Sequence, residues 1–185
     1  MSSKTDFHEG RIAAGNAMAT FFAEERGVAA VEFAFVALPF LAVIMALVQI
    51  SLAFIAQQAV ETATEKASRL VLTGQAQAQG LTQQQFQQTV CANLPALFKC
   101  SNLLVDMQTA TGFASADTGA PTLNFNKQGQ VTNSWQYQPG AANDVVVLRV
   151  MYLWPVMVGP MGLSLANLPN GARLLMATAV FQNEP

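Results

Sequence analysis

From Phe33 to Ile55 the chain reads FAFVALPFLAVIMALVQISLAFI, 23 residues without a charge in which Gln49 and Ser51 are the only polar members. At ~1.5 Å per residue a helix of that length extends roughly 35 Å, enough to cross a hydrocarbon core of about 30 Å with slight tilt. The core helix of a soluble protein is the alternative. Composition argues against it: 52% of the 185 residues are hydrophobic and 11% are charged, against a usual charged share of ~25%.

The start of the run is unusual. Glu24, Glu25 and Arg26 precede Gly27, and Glu32 lies inside the apolar stretch, five residues after Gly27. A carboxylate so close to the hydrocarbon calls for a partner or a processing role; the alternative is a side chain that snorkels to the headgroups. Pro39 interrupts the span, removing one backbone hydrogen bond and predicting a kink.

These residues carry a resemblance. Gly27 directly before an apolar run, Glu32 at the fifth position after it and Phe33 at the sixth are similar to the processing site of type IVb prepilins. The stretch RGVAAVEFAFVALPFL (Arg26 to Leu41) resembles more narrowly the opening of TadE-like pseudopilins of the tight-adherence (Tad) pilus system. The resemblance implies a membrane aspartyl prepilin peptidase cutting between Gly27 and Val28. It also implies other pilin and pseudopilin subunits, an inner-membrane assembly platform and membrane lipid as partners. In such a protein the leader is cytoplasmic, and the mature chain is a single-pass protein of the bacterial inner membrane with its C-terminal domain in the periplasm. Charge alone leaves orientation tied, because Arg11 and Arg26 upstream balance Lys66 and Arg69 downstream. TadE and TadF types are not separated by these residues.

With that cleavage, the role of Glu32 becomes concrete. The new α-amino group on Val28 lies four residues away, the spacing at which helix neighbours meet. The carboxylate then pairs with its own N-terminus or a neighbouring subunit's, and sets subunit register together with Phe33.

The resulting organisation is α+β. A hydrophilic leader covers 1–27, a transmembrane helix 28–56 and an amphipathic continuation of it 57–73, with a small extracytoplasmic domain carrying an antiparallel sheet over 74–185. The leader is no secretory signal, since acids precede an apolar run too long for one. Its His8, the sole histidine, reads as a surface residue. The continuation repeats Val60, Ala63, Ala67, Leu70 and Val71, pairs Glu65 with Arg69 at i,i+4, and stops at Gly74 in the C′ role. About 130 residues remain beyond the span, enough for one modest domain.

Thr73 to Gln88 reads as a linker and then a helix start, with Thr82 and Gln85 as a capping box and Leu81 and Phe86 as a staple. A helix from about Gln83 to Asn93 follows, stopped by Pro95. Cys91 and Cys100 are the only cysteines. In an extracytoplasmic domain an even count favours a disulfide, here closing a short loop worth of order 2–3 kcal/mol.

From Asn102 the period turns extended. Leu103, Val105 and Met107 alternate with polar residues, and Leu123 to Phe125 and Val131 to Tyr137 predict short strands of a hairpin around Lys127 to Gly129. Trp135 and Tyr137 would share a face, in a core or between subunits. The best strand is Asp144 to Trp154, apolar on both faces except for Arg149, which needs a carboxylate or the sheet margin. Pro155 to Gly171 is apolar but too short and broken for a second span, so it tucks onto the long helix or marks a contact. Arg173 to Phe181 is expected to pair antiparallel with Asp144 to Trp154.

Several functions are excluded by chemistry. A net charge of −2 without a basic face offers no electrostatic basis for nucleic-acid binding. There is no GxSxG, P-loop or GxGxxG, and no CxxC or second Cys/His pair for a metal. The expectation is a non-enzyme without cofactor or metal, acting as a minor pseudopilin in pilus or secretion-apparatus assembly. The other class in play is a permanently membrane-tethered extracytoplasmic binding or chaperone-like protein.

Overall fold

The computed structural model describes residues 25–157, 159, 162 and 164–185. The proposed leader therefore lies outside the described residues up to position 24, with His8 and Arg11 in it. The elements run α1 (Glu25–Leu72), a single turn α2 (Gln75–Ala78), α3 (Gln83–Ala92), β1 (Leu103–Ala110), β2 (Val145–Pro155) and β3 (Ala172–Gln182). The chain is a long N-terminal apolar helix followed by a small domain with a three-stranded antiparallel sheet, an α+β arrangement. It divides into two units, Met1–Leu47 and Val48–Pro185.

In the first unit, the described residues are helical throughout and none from Ala29 onward is buried. Phe33 and Phe35 are each 74% exposed, the surface expected of a helix whose natural solvent is lipid. Among the described residues α1 is the one helix long and apolar enough to cross a membrane.

In the second unit, the last turns of α1 change character. Ala53, Ala56, Val60, Ala63, Ala67 and Val71 are buried, and their spacing of three and four places them on one stripe. Five of the six, Ala56 onward, belong to one core cluster with Leu103, Val105, Met107, Val146, Leu148, Val150, Tyr152 and Leu175. Through that cluster the small and branched side chains of the stripe share the core with the sheet. This stripe begins at Ala53, inside the stretch that composition alone assigns to the bilayer. Glu65 and Arg69 do not close into the expected pair; the ion pairs among the described residues are both made by Arg149.

α1 ends as expected. Gly74 takes φ 70°, and its N–H bonds to the Val71 carbonyl at 3.0 Å, the left-handed C′ position that glycine occupies without strain. The following stretch is not simply a linker, because α2 adds a turn and buries Ala76. The capping box at Thr82 and Gln85 forms in both directions, and Leu81 packs on the core cluster that contains Phe86.

The sheet order is β1-β2-β3, antiparallel throughout. β2 is central and buried on both faces from Val145 to Tyr152, as its double-sided apolar pattern requires. The predicted strands at 123–125 and 131–137 do not form. What exists is a single bridge, Phe125 to Val131, and a parallel bridge from Tyr137 to Met107 on β1. Asparagine side chains explain the difference. Asn126 Oδ1 accepts from the N–H groups of Gln128 and Gln130, and Asn133 Oδ1 accepts from that of Asn124, so side chains take backbone donors that a longer ladder would use.

Candidate functional site

Gly27, Val28, Glu32, Phe33 and Pro39 all lie on α1. Glu32 is exposed, and among the described residues it has no ion-pair partner. Pro39 sits within a continuous helix and brings no N–H to the carbonyl of Phe35, one turn earlier. The first four N–H groups of any helix lack intrahelical acceptors and carry the positive end of the dipole. A chain beginning at Val28 would present that end, with its α-amino group, one turn from the Glu32 carboxylate.

Cys91 and Cys100 are joined by a disulfide, with Cα atoms 5.6 Å apart. It ties the last turn of α3 to the start of β1. The loop between them is anchored by Phe98, whose ring meets Tyr152 edge-on at 4.7 Å, and by the Lys99 N–H, which donates to the Tyr152 hydroxyl at 2.9 Å. The disulfide and the α1 residues are separate features: the first pins the sheet domain, the second form the helix entry.

The domain also contains a polar constellation that sequence reasoning reached only in part. Arg149 is the one charge on an otherwise apolar strand, and its partners depend on register. Nη1 donates to Asp106 Oδ2 at 3.0 Å, and Nη2 donates to the Asp117 carbonyl at 2.6 Å and reaches its carboxylate at 2.9 Å. Asp106 also accepts from Gln108 Nε2 and from the Gln136 N–H. These bonds hold the 111–138 segment to β1 and β2 and compensate the burial of two charges. A second cluster was not anticipated: Gln77 and Asn183 donate to the carbonyl of Pro139, and Asn183 also to that of Ala141. Gln77 lies between Ala76 and Ala78, but Asn183 lies between Gln182 and Glu184, so no pattern in the sequence signals the cluster.

Tyr137 packs against Phe86, ring centroids 5.6 Å apart. Burial raises its phenol above the usual range, because the ionised form is the one that loses hydration. Trp135 does not join it on a strand. No group of three His, Cys, Asp or Glu side chains among the described residues is placed to hold a metal ion.

Residues 27–69 match the family model described as TadE-like protein. This segment is TadE-like. It begins at Gly27 and takes in nearly all of α1, both the exposed apolar turns and the stripe that enters the domain core. No curated protein and no solved structure matches the chain. The apolar helix is consistent with a single-pass membrane protein.

Proposed function

We propose that the chain is a minor pseudopilin that acts in assembly of a Tad-type pilus or related secretion apparatus. The observation that carries this reading is the coincidence of the TadE-like match, beginning at Gly27, with a helix whose apolar side chains are exposed as far as Ile55. In this reading a prepilin peptidase cuts after Gly27 on the cytoplasmic side of the inner membrane, and the disulfide-bearing domain is periplasmic. The work is assembly rather than chemistry. The span holds the subunit in the bilayer, Glu32 meets an N-terminal amine after processing, and the sheet domain makes contacts with other subunits and the assembly platform.

The test is the intact mass of membrane-extracted protein from cells with and without the peptidase. A peptidase-dependent species beginning at Val28 is expected. Retention of Met1 to Gly27 in both would replace this reading with a permanently tethered binding or chaperone-like protein.

A further inference from the structure

The two ends of the sheet differ in a way that membrane insertion makes meaningful. At one end, the β3 exit meets the end of α1, with the Glu184 N–H donating to the Leu72 carbonyl at 2.9 Å. At the other, the β2–β3 connection lies against the upstream turns of the same helix. Gln49 and Leu52 line a small cavity with Trp154, Val156, Met157 and Leu165. Ile50 and Phe54 line another with Leu165 and Arg173, and Arg173 Nη1 donates to the Leu165 carbonyl.

Counting ~20 residues of helix per hydrocarbon core from Phe33 puts the bilayer exit near Leu52. An exit there would put Val156, Met157 and Leu165, which line these cavities, near headgroup level. Two neighbouring segments share that end. The loop carrying Leu97 and Lys99 is joined through Phe98 to Tyr152 and Trp154. The hairpin carrying Lys127 is joined through Gly129 to Asn170.

Charge and exposure at this end both point to a lipid surface. Residues 95–102, 124–131 and 154–173 contain Lys99, Lys127 and Arg173 and no carboxylate. At the opposite end stand Asp144 and Glu184, together with Arg69 on the last turn of α1. Leu97 is 66% exposed and Met157 67%, apolar side chains beside cations, with a half-buried tryptophan between them. That is the composition of a membrane interface, where aromatic rings sit at the headgroups and lysines meet lipid phosphate.

We propose that this end of the domain docks on the bilayer from which α1 emerges, with Met157 and Leu97 at the acyl boundary and Lys99, Lys127 and Arg173 over anionic headgroups. The inference rests on α1 spanning the membrane, so its test must separate the two. Full-length protein carrying Met157→Cys, Ala142→Cys or Phe40→Cys is labelled with an environment-sensitive fluorophore. The added thiol is the one that reacts, since Cys91 and Cys100 are bonded to each other. Each is reconstituted in phosphatidylglycerol-containing bilayers with lipids spin-labelled at shallow or deep positions.

The label at Met157 is expected to be quenched by the shallow spin label, that at Phe40 by the deep one, and that at Ala142 by neither. Lys99→Gln with Lys127→Gln should lower the docked-to-undocked ratio at Met157 roughly 30-fold in anionic bilayers, the fold-change for about 1 kcal/mol per cation, and have little effect in phosphatidylcholine. A Met157 label as unquenched as Ala142 while Phe40 is quenched overturns the docking alone. Phe40 escaping the deep label overturns the span and the docking with it. Quenching at Met157 that ignores lipid charge and both lysines overturns the anionic-headgroup assignment.

Discussion

Arg149 and Asp106 face each other as Cα partners across β1 and β2, and their side chains meet at 3.0 Å with 6% and 4% of their surfaces exposed. The same guanidinium also touches Asp117, whose side chain is 81% exposed. The two contacts look alike in distance and differ in solvent.

Arg149→Met should therefore destabilise the domain by about 3–5 kcal/mol, because the Asp106 carboxylate stays buried without its cation. Asp117→Ala, removing the wet partner, should cost less than about 1 kcal/mol. Urea unfolding of the detergent-solubilised protein, followed by near-UV circular dichroism, distinguishes them. Equal losses for the two variants would refute the difference drawn from burial.

Gly140 has φ 71°, and a Cβ there would lie 3.0 Å from Asp144 Cβ and 3.1 Å from Asn183 Nδ2. Gly140→Ala should lose roughly 1–3 kcal/mol through backbone strain and displacement of Asn183. The check is its melting temperature beside that of Gly129→Ala, which shares the positive φ but meets a single neighbour, Asn170 Cβ at 3.3 Å; Gly140→Ala should melt lower.

The Tyr137 hydroxyl is buried and has no hydrogen-bond partner among the described residues, and burial holds its ionisation above the usual ~10. The folded state keeps the proton longer than the unfolded chain, so this tyrosine's contribution is intact below about pH 10 and is lost as pH rises through the folded value. Absorbance at 295 nm in a Tyr152→Phe background should show late ionisation. Tyr137→Phe should be neutral or slightly stabilising near pH 7, since the hydroxyl it removes is unpaired.

Glu32→Ala should leave membrane insertion intact and weaken assembly, since the exposed apolar turns remain while the carboxylate for a Val28 amine is gone. Carbonate extraction reads insertion and crosslinking to co-expressed pilus subunits reads assembly. Wild-type crosslinking by the variant would remove Glu32 from the register-setting role.

What the chain declares about itself depends on the range of the interaction. α1 follows from an uninterrupted apolar run, the α3 start from Thr82 and Gln85 three residues apart, and the central position of β2 from apolar residues on both its faces. Each signal is local. The segment 123–137 has the same alternation as a strand, but its asparagines satisfy backbone donors locally, which no period count detects. The Asp106–Arg149 pair was half visible: one charge in an apolar strand demands a partner, yet β1 and β2 are separated by a long irregular segment, and register decides which carboxylate answers. The Gln77 and Asn183 clamp on Pro139 to Ala141 is wholly tertiary and left no trace in spacing.

One feature of α1 has a mechanical side. Val60, Ala63, Ala67 and Val71 are completely buried in the domain, and α1 is helical without a break from Glu25 to Leu72. Within the domain's own unit, from Val48 onward, a pull along the helix is resisted by this buried row of side chains. The load then reaches the core as shear spread over a row of buried side chains, so the domain should yield by sliding of its helix rather than by peeling one strand at a time.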